Sequence, residues 1–191
     1  MSASDTDRTV STRPDGLWTQ PQPTGPGTEV DESVRRVRMP AAMVYDYSPG
    51  MARTRFLRGL QEKKIMGERG PSTGEVYVPP TGVAPVSGLL TTEQVEVGPK
   101  ATITSFCVVH IGFGVNAPPT PFVSALFLPD GAAVSLYGTV GGIEYDKVRI
   151  GMRVEPVWVD DDQLTTSSEN IRYWQPIDEP DVPAEQLKGH M

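Results

Sequence analysis

The chain has 191 residues, with 17 Lys and Arg against 24 Asp and Glu and a formal net charge of −7. That length supports one domain, or one domain with an appendage, and the acidity excludes a general nucleic-acid binder, which needs a dominant basic footprint. No apolar run reaches the roughly 18 residues of a membrane span, and a single cysteine, Cys107, excludes an internal disulfide framework and fits a reducing cytoplasm.

Residues 1–33 are rich in Ser, Thr, Pro, Gly and Asp and read as a disordered acidic tail. The tail has no apolar h-region, so no secretory signal is expected. Residues 34–66 read as a basic helical segment. Residues 35–69 carry nine bases against three acids, a balance of +6 within a chain of −7. Ser48 as N-cap and Pro49 at the first helical position predict a helix start. Met51, Phe56, Leu57 and Leu60 then share one face. Arg53, Arg55, Arg58, Lys63 and Lys64 lie elsewhere around the helix, solvated in the free chain, and Gly67 is expected to end it.

Residues 67–90 form two Pro/Gly knuckles joined by a short extended piece at residues 75–78. Gly70 and Thr73 sit in the first knuckle, Ala84 and Ser87 in the second. Cysteines at those four positions would give C-x2-C, ten residues, C-x2-C, the ligand spacing of a tetrahedral structural zinc site. None of the four residues present supplies the thiolate or imidazole that zinc prefers. The segment therefore reads as a zinc-ribbon-like remnant with vestigial ligand positions, packed by Tyr77, Val78 and Val83 in place of metal.

Residues 91–176 have a β texture. Residues 101–111 and 122–128 read as strands. Pro129-Asp130-Gly131 is a turn, because Pro presets φ and Gly accepts a positive one. Residues 132–140 return from it, Gly141-Gly142 break the strand, and residues 143–149 form a connector of one helical turn. Residues 153–159 are a further strand in which Pro156 marks an edge or a bulge, and residues 171–174 are a last extended piece. Ile103, Phe106, Val109, Phe122, Ala125, Leu126, Leu136, Val154 and Trp158 are the expected core. The strand pattern alone gives a small barrel or sandwich. No internal repeat is read, and residues 177–191 are expected to be a C-terminal tail.

Catalytic chemistry needs a positioned acid, base or nucleophile. Cys107 and His110 lie three apart in one strand and point to opposite faces, so they cannot pair. Cys107 reads as a small core hydrophobe, His110 as the end of its strand, and His190 as a tail residue. Asp160-Asp161-Asp162 reads as a solvated loop without EF-hand spacing. Gly112-Phe113-Gly114 and residues 138–142 lack the strand-loop-helix context of a phosphate loop and read as barrel corners. Glu93, Glu96 and Glu144 have no paired apolar setting. No assembled active site is expected. Two segments read as binding surface: the basic helix with Arg53, Arg55, Arg58, Lys63 and Lys64, and the loop at 112–121 with Phe113 and Val115. For each, the alternative is a solvated helix face and a rigid Pro-rich connector, respectively.

Five segments carry a resemblance to a known family: Tyr45-Asp46-Tyr47, Arg55-Phe56-Leu57, Lys64-Ile65-Met66-Gly67-Glu68-Arg69, Val76-Tyr77-Val78-Pro79-Pro80 and Val148-Arg149-Ile150-Gly151-Met152-Arg153-Val154. Over residues 45–176 the chain resembles the zinc-ribbon/OB-fold proteins, long described as a domain of unknown function, that accompany thiolases and lipid-transfer-type thiolase-like proteins. The missing cysteines resemble an actinobacterial branch of that family, associated with steroid side-chain breakdown. The resemblance implies a mainly β fold: a small Greek-key OB-fold barrel preceded by a rubredoxin-like zinc-ribbon remnant without metal and an N-terminal helical segment.

It also implies a non-catalytic accessory subunit of a thiolase-fold acyl-CoA enzyme. The complex would perform a retro-aldol or thiolase reaction, in steroid (cholesterol) or lipid degradation, with the catalytic residues on the partner. The expected partner is a thiolase-like lipid-transfer protein in a hetero-oligomer, taken as a heterotetramer, with a coenzyme A thioester at the interface and no tightly bound cofactor. A free-standing acyl-CoA carrier, a scaffold bridging a thiolase to a neighbouring enzyme, and an enzyme with an unrecognised site are the alternatives.

Overall fold

The computed structural model describes residues 46–112 and 118–190. Ser48–Met191 is one compact unit, and every element of the described residues lies in it. The acidic tail, the first part of the basic segment, and Phe113 and Val115 lie outside the described residues.

The first element is a helix, α1, Gly50–Gln61. It starts later than Ser48-Pro49 predicts: Pro49 stands at the cap position and brings no side-chain acceptor. It also ends well before Gly67. Lys63 takes the left-handed φ of 58°, its N–H donates to the Leu60 carbonyl, and the Lys64 N–H donates to the Gly59 carbonyl. This is a Schellman stop with lysine in place of glycine. Phe56 and Leu60 are buried with Ala52 and Gly59, and Leu57 is half-buried, whereas Met51 is exposed.

Gly67 instead lies within a strand. β1 (Ile65–Arg69) pairs antiparallel with β2 (Val76–Tyr77) on one side and β3 (Glu93–Val97) on the other. A Cβ on Gly67 would sit 2.6 Å from Val76 and 2.7 Å from Val78, so the strand needs glycine for close approach. β3 falls in the segment expected to open the barrel, yet it completes the ribbon sheet.

Five strands then close a barrel: β4 (Ala101–Val109), β5 (Phe122–Pro129), β6 (Leu136–Val140), β7 (Arg153–Trp158) and β8 (Ile171–Pro176). Their order around the barrel is β4-β5-β6-β8-β7, with β6 and β8 parallel and β7 returning to β4 through Ala101↔Val154. This is the five-stranded Greek-key barrel of an OB-fold. β6 starts at Leu136 rather than at residue 132. The preceding loop turns aside to bond the ribbon, the Ala133 N–H donating to the Val76 carbonyl.

The core runs continuously from Phe56, Leu60 and Ile65, through Val76, Val78 and Val97, to Ile103, Phe127, Val154 and Trp174. Each such side chain, fully buried, contributes about 1.5–3 kcal/mol. Trp174, absent from the expected core, is 1% exposed and stacks on Phe127 at 4.9 Å and 16°. Leu126, expected inside, is 38% exposed. The reason is alternation: Leu126 lies between Ala125 and Phe127, which both face inward. The irregularity in this pair of strands is a bulge in β4. Ile103 pairs with Phe127 and Ser105 with Leu126, so Thr104 is the extra residue. The bulge lets Ile103 and Phe106, three apart in β4, pair with Phe127 and Ala125, which with Val123 form the inward set of β5. Phe106 and Trp158 pack at the margin of the core, and Val109 and Phe122 are half-buried at its end.

The C-terminal residues do not trail away. The Val182 N–H donates to the Gly151 carbonyl, Arg149 pairs with Asp181, and Leu187 is buried.

Candidate functional site

The two knuckles share one backbone pattern. The Gly70 N–H donates to the Glu75 carbonyl at 2.8 Å and the Gly74 N–H to the Gly70 carbonyl at 2.9 Å. Fourteen residues on, Ala84 bonds Leu89 at 2.8 Å and Gly88 bonds Ala84 at 2.9 Å. Gly74 and Gly88 both take positive φ, 75° and 69°. At the second ligand position of each knuckle a hydroxyl accepts the N–H two residues ahead: Thr73 from Glu75 at 3.3 Å and Ser87 from Leu89 at 3.4 Å. The sequence carries this as a repeat that composition does not advertise: Gly70-Pro71-Ser72-Thr73-Gly74 and Ala84-Pro85-Val86-Ser87-Gly88.

An aromatic ring stands against the ligand position at Gly70, beside Thr73 and Ala84. A Cβ built on Gly70 would meet Tyr77 Cε2 at 2.9 Å, Thr73 Oγ1 at 3.3 Å and the Ala84 Cβ at 3.5 Å. The Tyr77 hydroxyl donates to Glu75 at 2.7 Å and lies 3.4 Å from Thr73 Oγ1. These residues do not fit a zinc ion: they offer hydroxyls, a methyl and a phenol ring where thiolates would be needed. Among the described residues there is also no cluster of three or more His, Cys, Asp and Glu that could hold a metal. Tyr77 packs against the knuckles as expected, Val78 is buried in the core against Gly67, and Val83 is exposed, because it faces outward in an isolated bridge to Leu90.

The basic residues of α1 and of the turn after it separate into paired and free. Arg55 Nη2 donates to Glu68 at 2.9 Å, and Glu68, 1% exposed, also accepts from Thr91 Oγ1 at 2.7 Å. Arg55 is therefore not a solvated cation but the counter-charge of a buried carboxylate, and its Nε is buried with no hydrogen-bond partner. Lys63 pairs with Asp161 and Lys64 with Glu62. Arg53 and Arg58 have no ion pair among the described residues. Helical spacing puts Arg58 in line with Met51, seven residues back, and Arg53 on the opposite flank.

In front of Met51 lies a hollow of about 320 Å³, lined by Met51, Ala52, Arg55, Val83, Leu90 and Thr92 among others. A smaller hollow of about 160 Å³ lies on the outer face of β4, β5 and β6, with Cys107, Leu126 and Tyr137 in its wall. Cys107 is exposed there rather than buried in the core, since the same bulge turns it outward.

The remaining candidates do not converge. His110 is exposed and makes an edge contact with Tyr145 at 5.9 Å. Asp161 and Asp160 meet Lys63 and Arg172, Glu93 meets Arg69, and Glu144 meets Lys147. The strongest perturbation lies at one end of the barrel. Arg153, nearly buried, donates bidentately to Asp130 at 2.6 and 2.7 Å, and also to Thr102 and Glu179. The hydrogen bond with Asp130 raises its pKa above the usual arginine range. Lys100, and then Arg153, hold the Glu179 carboxyl below its usual value. This network ties the turn after β5 to the start of β7 and the C-terminal segment, which is structural work.

Residues 94–159 match the family model of the ChsH2 C-terminal OB-fold domain. This bears out the sequence resemblance over that span and agrees with the barrel. Among solved structures, a protein of unknown function from the DUF35 family of Sulfolobus solfataricus is 19% identical, with a TM-score of 0.52 over 67% of this chain and 87% of that one. That likeness is one of fold. A structure described as the Ltp2-ChsH2(DUF35) aldolase is 24% identical, with a TM-score of 0.49 over 63% of this chain and 91% of that one. No curated protein matches the chain.

Proposed function

We propose that this chain is a non-catalytic accessory subunit of a thiolase-fold acyl-CoA enzyme. Its partner is a thiolase-like lipid-transfer protein that carries the catalytic residues, and the complex performs a retro-aldol or thiolase reaction in steroid side-chain or lipid degradation. The chain stabilises that partner and shapes the mouth of its acyl-CoA site, works in the cytoplasm, and holds its ribbon without zinc. The observation that carries this reading is the match of residues 94–159 to the OB-fold domain of ChsH2, a protein named with Ltp2 as an aldolase. The site chemistry agrees with it. Among the described residues, the groups able to act as acid, base or nucleophile stand apart or are neutralised by an ion pair, as at Arg55–Glu68 and Lys63–Asp161.

The test is reconstitution of the full chain with a lipid-transfer-type thiolase encoded beside it. Stable co-elution, and acyl-CoA cleavage that needs both chains, is the expected result. Turnover by the isolated chain, or tight coenzyme A binding without a partner, would overturn the reading.

A further inference from the structure

Surface apolar side chains are ordinary when scattered and meaningful when contiguous. Here they gather. The second knuckle, closed by the Ala84–Leu89 bond, presents Val86 at its tip and Leu89 at its base. Val83 and Leu90, bridged to each other, continue the same surface into the hollow in front of α1, whose far wall is Met51. Val86 and Leu90 are each 73% exposed and Met51 is 69% exposed. The first knuckle, with the same backbone, carries Ser72 and Glu75 where the second carries Val86 and Leu89. The fold therefore does not require the apolar residues, because its twin is built with polar ones.

The rim is cationic. Arg58 lies on the helix face of Met51 and has no ion pair among the described residues. Arg55 lies between them, lines the hollow, and keeps a buried Nε–H without an acceptor. A patch of exposed apolar side chains with an unpaired cation, Arg58, on one rim is complementary to a surface that brings an apolar side chain and a carboxylate together.

We infer that the second knuckle and the outer face of α1 form the docking surface for the thiolase-like partner, and that the contacting segment of that partner is apolar with an acidic edge. Val86, Leu89 and Leu90 supply the desolvated centre, and Arg58 the charge at its rim. This rests on the function proposed above and assigns a face to it. It also moves the interface from the basic helix as a whole to one stripe of it, leaving Arg53, Lys63 and Lys64 outside.

The measurement is the affinity of the full chain for the purified partner, at low and moderate salt, for wild type and three variants. The first variant carries Val86→Ser with Leu90→Ser, the second Arg58→Glu, and the third Tyr137→Ser on the barrel face. All four side chains are exposed, so thermal melts should stay close to wild type. The first two variants should bind about tenfold or more weakly, and only the loss in Arg58→Glu should shrink as salt is added. If both bind like wild type while Tyr137→Ser fails, the interface is on the barrel; this inference falls and the proposed function stands. If wild type self-associates through the patch with no partner present, and the first variant abolishes that, the surface is a contact between copies and the inference is wrong. If wild type does not bind the partner at all, the proposed function falls and takes the inference with it.

Discussion

Leu126 and Phe127 are neighbours on β5 with opposite surroundings. Phe127 is fully buried against Trp174, and Leu126 lies in the wall of the outer hollow. Phe127→Ala should cost about 3–5 kcal/mol, while Leu126→Ala should cost less than about 1 kcal/mol. Denaturant melts of the two variants read this directly, and equal losses would contradict the register. Composition could mark residues 122–128 as a strand, but not which alternate set faces inward. In β4 the phase changes at one bulged residue, Thr104, and that bulge turned Cys107 outward. Arg55 looks solvated in the sequence because its partner, Glu68, is 13 residues away and buried by strand pairing.

Glu179 gives a pH prediction at the same scale. Lys100 and Arg153 hold its folded pKa below the unfolded value of about 4.3. A depressed carboxyl contributes stability above its unfolded pKa, and loses it as pH falls through the folded value. The difference in melting temperature between wild type and Glu179→Gln should be constant near neutrality and shrink below about pH 4. A difference that persists unchanged into strong acid would remove the ion pairs from the explanation.

At the scale of elements, the knuckles account for the ribbon. Backbone bonds close each knuckle, and the Tyr77 ring and the Thr73 hydroxyl crowd the position of Gly70 beside Ala84. Elemental analysis of protein purified without chelator should find no stoichiometric zinc. Tyr77→Ala should loosen both knuckles, seen as faster amide exchange at Gly70, Gly74, Ala84 and Gly88, with the barrel amides unchanged. Zinc at one ion per chain, or knuckle amides indifferent to Tyr77→Ala, would contradict this account. The knuckles were legible because Pro and Gly punctuate the chain strongly. The helix stop was not, because a lysine took the left-handed position that favours glycine, and Gly67 was kept for strand packing.

For the whole molecule, the barrel was legible as a class and not as a topology. Strand texture and the Pro129-Asp130-Gly131 turn place β4 to β6 closely, but nothing local says that β8 slots between β6 and β7. The packed C-terminal segment was missed as well, because Arg149–Asp181 and Arg153–Glu179 are pairs of exposed-looking charges until the barrel brings them together. The candidate site was legible as a basic helix, while its apolar half, Val86, Leu89 and Leu90, was hidden among Pro and Gly and becomes a surface only when the knuckle folds. The central claim is that this surface serves a catalytic partner, and the most direct measurement is acyl-CoA cleavage by the separately purified chains, alone and mixed. The account predicts no turnover by this chain, little by the thiolase-like chain, and full activity in a co-eluting mixture; activity of this chain alone, or a partner whose rate and elution ignore its presence, would contradict it.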